Sequence, residues 1–275
     1  MSDTLLVHLD ASPRCAVRLQ IARQLGHALK AEVAALYAVT SALSRYPMAM
    51  AAGADMAPLL IEVDDQRLAA ARALFAQAVP DGSVAWRRGY EQPVRDTVRH
   101  ALYADLLVLG QRGPDADADI DVPADFVASV ILGSGRPALV VPHIATPDWA
   151  GRRALVAWKE TRESARAVSA ALPLLRMADS VQVVCFDEPR ADEAPVDGLP
   201  GIEAWLGAHG VKATVLHEPA PAHDLGEVLL SLAADQRSDL LVMGCYGHGR
   251  AREWALGGVT RTVLGAMTLP VLMAH

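Results

Sequence analysis

The chain has 275 residues, of which 52% are hydrophobic and 21% charged, with a formal net charge of −7. That composition fits an α/β protein with a sizeable core in one large or two small domains, and the charge divides almost evenly between the halves. With no basic face or tail in the sequence, nucleic acid is excluded as an obligate partner. The opening Met-Ser-Asp-Thr-Leu-Leu-Val lacks a basic stretch leading into a long apolar one, so no signal peptide is expected. No apolar run approaches the ~20 residues that span a bilayer, so no membrane partner is expected either. Cys15, Cys185 and Cys245 show neither CxxC nor finger spacing. Reduced thiols, no metal site and a cytoplasmic location are the expectation.

In chain order, Thr4-Leu-Leu-Val-His-Leu-Asp10 predicts a strand that ends in a carboxylate. Ser12 then reads as a cap with Pro13 at the first helical position, and Val17, Ile21, Leu25 and Leu29 recur at helical spacing. A strand follows at 32–39, then an aperiodic loop over 41–58, a helix near 59–79, a strand at 83–87, a helix at 92–104 and a strand at 105–109. A second pass starts near Arg153, beyond the joint Ala145–Gly151. It reads strand 154–158, helix 161–176, strand 181–186, a Pro/Asp/Glu-rich loop at 187–200, helix 201–209, strand 211–217, helix 223–236 and strand 239–243. A short helix at 259–264 and a strand at 269–273 complete it. The passes align: Leu5–Leu9 with Ala154–Trp158, Asp105–Gly110 with Asp239–Gly244, and Leu139–Pro142 with Val271–Ala274. A period this long marks a duplicated domain, not a solenoid. Each copy alternates strand and helix, which predicts a parallel sheet covered on both faces.

The stretch from Gly244 through Gly247 and His248 to Gly257, Gly258, Val259 and Thr260 follows a buried-type strand and opens a helix. Glycines expose backbone N–H groups, and a helix N-terminus adds about half a positive charge, which together form an anion cradle. It is not a dinucleotide fingerprint, because Arg252 stands where a third glycine would follow Gly247-His-Gly249. No P-loop pattern occurs. Read without its context, the same stretch also fits glycines that simply end a strand and allow close packing.

The spacing Gly-x2-Gly-x9-Gly on this duplicated pattern resembles the universal stress protein family, and nearly the whole chain is similar to a tandem member. The resemblance implies domains at 1–144 and 152–275. Each would be a doubly wound α/β unit, a five-stranded parallel sheet of order 3-2-1-4-5 with helices on both faces. It places a ligand crevice between the first and fourth strands; in some members that crevice holds ATP or a related nucleotide. Relatives carry an Asp at the end of the first strand, kept here as Asp10 with Ser12. In the first half Gly110 and Gly113 begin the loop, but Pro123 replaces its last glycine, and four carboxylates between 115 and 121 would repel a triphosphate. An EF-hand starting at Asp115 fails at Ile120 and Phe126. In the second half the glycines remain and His248, Arg250 and Arg252 make the loop cationic. However, Lys159, between Trp158 and Glu160, replaces the Asp, and Gly258 replaces the usual Ser or Thr.

The nucleotide site implied in the second domain therefore comprises Trp158, Lys159, Gly244, Gly247, His248, Gly257, Gly258, Val259 and Thr260. The degenerate site of the first comprises Asp10, Ser12, Gly110 and Gly113. Lys159 either favours an anion in the crevice or pairs with Glu160 or Glu163 at its rim. His8 reads as a satisfied core histidine, and His217 and His223 as rim residues. No catalytic nucleophile or metal set is identified. The functional expectation is a non-enzymatic stress-response protein with a second-domain site for a nucleotide, ATP or AMP, or for another anionic ligand. A slow ATP-hydrolysing protein and an interaction scaffold with vestigial pockets are the alternatives. Pseudo-dimeric monomer and homodimer are both compatible, since domains of the family pair through their last strands.

Overall fold

The computed structural model describes residues 4–46, 56–90, 92–113, 121–144, 151–187, 201–219, 224–246 and 258–275. Contacts group the chain into two compact units, Met1–Arg136 with His143–Asp148, and Pro137–Pro142 with Trp149–His275.

The first unit runs β1 (Thr4–Leu9), α1 (Cys15–Leu29), β2 (Glu32–Tyr37), α2 (Ala42–Arg45), α3 (Met56–Ala78), β3 (Val84–Arg88), α4 (Pro93–Ala101), β4 (Leu106–Gly110) and α5 (Phe126–Ser134). Its strands lie in the order β3-β2-β1-β4, all parallel. The second unit contains β5 (Ala138–Val141), β6 (Arg153–Trp158), α6 (Arg162–Leu175), β7 (Ser180–Asp187), α7 (Ile202–Ala208), β8 (Ala213–Pro219), α8 (Leu225–Asp235), β9 (Leu240–Gly244), α9 (Gly258–Ala266) and β10 (Val271–Ala274). Read from β8 to β10, its parallel strands follow the expected order 3-2-1-4-5. β5, read from sequence as the last strand of the first half, runs antiparallel along β10, with Leu139 opposite Leu272.

The inner strands are apolar on both faces because both faces are covered. Leu107, Val108 and Leu109 in β4 and Leu240, Leu241 and Val242 in β9 have no exposed surface. The repeated Asp before each of these strands performs one task twice. Asp105 takes the Thr4 backbone N–H on Oδ2 at 2.9 Å, and Asp239 takes the Arg153 N–H on Oδ1 at 2.6 Å. Each thereby fastens the start of its unit's first strand beside the fourth.

Local departures from expectation have identifiable causes. Ser12 does not cap α1, which begins at Cys15 behind Arg14 without a side-chain cap. Ser12 and Pro13 instead form a turn closed by Cys15 N–H on the Ser12 carbonyl, while the Asp10 carboxylate takes the Ser12 N–H at 2.8 Å. Within the stretch read as loop, Ser41 caps the single turn of α2 by accepting the Ser44 N–H. α3 starts at Met56, earlier than its periodicity suggested. β8 extends to Pro219, so His217 and Glu218 are strand residues. His223 and most of the 187–200 stretch lie outside the described residues.

Candidate functional site

In each unit the crevice lies where the strand order reverses, at the carboxyl ends of the first and fourth strands. In the first unit these are the ends of β1 and β4, and charged side chains of the unit fill the place. Asp10, just past β1, is 8% exposed. Its Oδ2 accepts Arg18 Nη2 at 2.6 Å, and its Oδ1 accepts the Cys15 thiol at 3.0 Å. Arg18, from α1, also donates through Nε to the His8 carbonyl at 3.2 Å. Burial opposes ionisation of Asp10, but Arg18, then His8, and the hydrogen bonds from Cys15 and Ser12 outweigh it and hold the carboxyl far below its usual range. Burial pushes the Cys15 thiol up to about 12, which makes it inert as a nucleophile.

Gly110 is glycine because Arg18 lies there. A Cβ at this position would stand 2.3 Å from Arg18 Nη1. The space beside the first loop is thus taken by a guanidinium. His8 is a satisfied core histidine, its Nε2 donating to the Ala38 carbonyl at 2.8 Å and its ring 4.5 Å from that of Phe126. Burial holds its pKa near 4.

A second charged layer covers Asp10. Asp121 accepts the Ala11 N–H on Oδ2 at 2.9 Å and pairs through Oδ1 with Arg67 of α3 and, at 3.9 Å, with Arg45 of α2. Its carbonyl accepts the Thr40 N–H at 2.7 Å. Asp121 is the last of the four acidic residues read as repelling phosphate, and here it is buried and neutralised. Gly113 ends the described part of the loop, and residues 114–120 lie outside it.

The second unit presents a different surface. Lys159 and Glu160 at the end of β6 are exposed, and Trp158 is half-buried. With the spacing that aligns β1 and β6, Arg18 corresponds to Ala167, a buried alanine, so this position supplies no guanidinium. What approaches is backbone. A Cβ on Gly244 would lie 2.6 Å from Ser164 N and 2.7 Å from the Glu163 carbonyl carbon. Gly244 therefore has a packing reason to be glycine, since it lets β9 end against the first turn of α6.

Thr161 caps that turn by accepting the Ser164 N–H at 3.3 Å. Glu163 is 3% exposed and bonds Arg162 Nε, so this carboxylate is engaged by a neighbour other than Lys159. Burial works against its charge, and the Arg162 bond and the helix-start hydrogen bonds bring its pKa below the ordinary value. Burial, with the Glu163 charge second, pushes the Cys245 thiol up to about 12. Tyr246 holds φ at +60°, a left-handed conformation uncommon for a residue with a side chain, and so turns the chain sharply after β9.

α9 begins at Gly258, with Val259 and Thr260 in its first turn and Thr260 buried. Because α9 connects β9 to the parallel β10, its N-terminus lies at the carboxyl end of the sheet. A Cβ on Gly258 would meet nothing within 4 Å among the described residues. Gly247, His248 and Gly257 lie outside the described residues.

Sequence reading missed Arg18, Arg45 and Arg67. Only Arg18 carried a signal, as a charged residue within the buried stripe Cys15, Leu19, Ala22 of α1.

A parallel sheet of order 3-2-1-4-5, with a helix opening after its fourth strand, defines a doubly wound α/β protein with a switch-point crevice. Residues 151–275 match the family model described as the universal stress protein family. A universal stress protein of Synechocystis is 25% identical over 169 residues, covering 61% of this chain and 57% of that protein. The chain thus matches little more than half the length of this relative. Among solved structures, a universal stress protein from Archaeoglobus fulgidus is 17% identical, with a TM-score of 0.67 over 100% of this chain and 98% of its own. A functionally unknown protein from Pseudomonas aeruginosa is 12% identical, with a TM-score of 0.60 over 98% and 92%. These likenesses span both units and show a common fold.

Proposed function

We propose that the chain is a non-enzymatic stress-response protein of the cytoplasm whose second unit binds an anionic ligand, a nucleotide such as ATP or AMP, at the crevice between β6 and β9. The observation that carries this reading is the open first turn of α9. Among the described residues nothing crowds the place where a side chain would begin at its Gly258, and the helix opens at the carboxyl end of the sheet. Helix N-termini favour anions through unpaired N–H groups and the helix dipole. The filled first crevice supports confining the ligand to the second unit. Lys159 in place of an aspartate puts a cation at the end of β6, which supports anion binding over Mg²⁺-assisted hydrolysis. Among the described residues no helix is long and apolar enough to cross a membrane. The β5–β10 pairing supports a pseudo-dimeric monomer, because it covers the edge through which a second copy would join.

Mass spectrometry of material released on denaturing the purified protein should find a nucleotide. ATP and AMP titrations should give one site per chain, abolished by Gly257→Val and unaffected by Gly113→Val. Lys159→Asp with Gly258→Ser should tighten ATP binding. Release of no ligand together with no heat of titration favours a scaffold, and steady ADP formation favours a slow ATPase; either result overturns the reading. Sedimentation should show one chain per particle.

A further inference from the structure

Two buried N–H groups of the first unit, Arg45 Nε and Arg67 Nη1, have no hydrogen-bond acceptor among the described residues. Both side chains are largely enclosed, 13% and 18% exposed, and both turn toward Asp121. A buried guanidinium with idle donors marks a place where further acceptor oxygens belong. Among the described residues the nearby carboxylates have hydrogen-bond partners of their own. Both oxygens of Asp64 accept the Ala42 N–H, at 3.0 and 2.9 Å, and Asp64 lies 3.5 Å from Arg67 Nη1 without a hydrogen bond to it. Asp10 is engaged by Arg18, the Cys15 thiol and the Ser12 N–H. Asp121 pairs with both arginines through one oxygen, because its other oxygen takes the Ala11 N–H, and Arg45 Nη2 also donates to the Thr40 carbonyl at 3.2 Å.

Two guanidinium forks and a backbone N–H offer more donors than one carboxylate has oxygens free to fill. A tetrahedral oxyanion, with three or four acceptor oxygens and a charge near −2, matches that donor set better. We propose that Arg45, Arg67 and the Ala11 N–H form an oxyanion site of the phosphate type in the first unit, which Asp121 of the same chain occupies as an internal substitute. The first crevice is then a site holding its own stand-in for a ligand. This goes beyond the reading of the second unit and does not depend on it.

The test is titration of inorganic phosphate, at ionic strength held constant with chloride, into the full chain and three variants: Asp121→Asn, Asp121→Ala, and Asp121→Asn with Arg67→Met. Asp121→Asn keeps a side-chain oxygen for the Ala11 N–H while removing the charge. Any phosphate bound in the second unit is common to all four proteins and cancels. Calorimetry should show one additional phosphate per chain in the single variants, bound about tenfold or more tightly than any first-unit binding by the unsubstituted chain, as expected for exchange of one charge-assisted contact. Arg67→Met should remove the gain. Melting temperature should rise with phosphate and not with chloride in the single variants. If Asp121→Ala does not fold in buffer alone, phosphate should restore its folded state. Unchanged stoichiometry in folded Asp121→Asn overturns the proposal, as does a gain that survives Arg67→Met.

Discussion

At the end of β1 a carboxylate faces a guanidinium, Asp10 against Arg18; at the corresponding end of β6 the first position is an exposed lysine and the second a buried alanine. Gly110 faces an arginine side chain, whereas Gly244 faces the backbone of α6. One ancestral layout has been closed in the first unit by side-chain charge and narrowed in the second by a helix end. The difference teaches that a switch-point crevice needs its charges answered. An internal ion pair answers them permanently in the first unit, whereas the second presents an exposed lysine and a helix N-terminus to the solvent.

Breaking the ion pair should show the contrast most strongly. Asp10→Ala leaves Arg18 charged and buried, and should cost about 3–5 kcal/mol in urea unfolding of the first unit. Pairing Asp10→Ala with Arg18→Met should recover much of that loss. Equal destabilisation by the double and the single variant would mean that Asp10 acts through something other than Arg18.

Acid should separate the units next. His8 is buried neutral, with its pKa lowered to about 4 by burial, and its counterpart in β6 is Ala157. Unfolded chains take up this proton at pH near 6.5, so the stability His8 confers is complete above that pH and falls as pH drops toward 4. The loss amounts to about 3 kcal/mol by linkage. Asp10, with its folded pKa depressed, adds a further loss at lower pH, below the unfolded carboxylate value near 4. Urea midpoints measured from pH 7 to 4 should decline for the first unit, and His8→Gln should flatten the decline. An unchanged slope in that variant would assign the acid sensitivity to other groups.

Glycine substitutions sharpen the comparison within the second unit. Gly244→Ala drives a Cβ into backbone that cannot rotate away, and should cost about 1–3 kcal/mol. Gly258→Ala meets open space and should leave the unfolding midpoint where it is while altering ligand affinity. Equal destabilisation by the two would remove the distinction between a packing glycine and a site glycine. Smallest of all, Lys159→Ala should change stability by less than about 1 kcal/mol, as expected for an exposed charge, with its effect confined to ligand titration.

The strands were legible because apolar runs such as Leu106–Leu109 and Leu240–Met243 have few other places to go. α2 was hidden because one capped turn has no periodicity to show. Ser12-Pro13 carried a sound cap signal that a competing local turn overrode, since Asp10 reaches forward and claims the Ser12 N–H. Gly258 and Thr260 at the start of α9 were readable from the glycine spacing. The Arg45–Arg67–Asp121 cluster was not, because its members are separated by 22 and 54 residues and only the crossovers of the fold bring them together.

The β5–β10 pairing has a consequence for the order in which the protein is made. Leu139 is synthesised 133 residues before Leu272, its partner across the ladder. On the ribosome β5 therefore emerges long before β10, and the second unit's sheet is complete only once Val271–Ala274 have left the exit tunnel. A chain cut before Val271 would leave β5 without this partner, and one started at residue 151 would present the wholly buried Val271–Ala274 as a bare edge. Such an edge recruits whatever strand is nearest, including that of a second copy. The stretch 151–275 that matches the family model thus lacks, by itself, the strand that pairs along its last one.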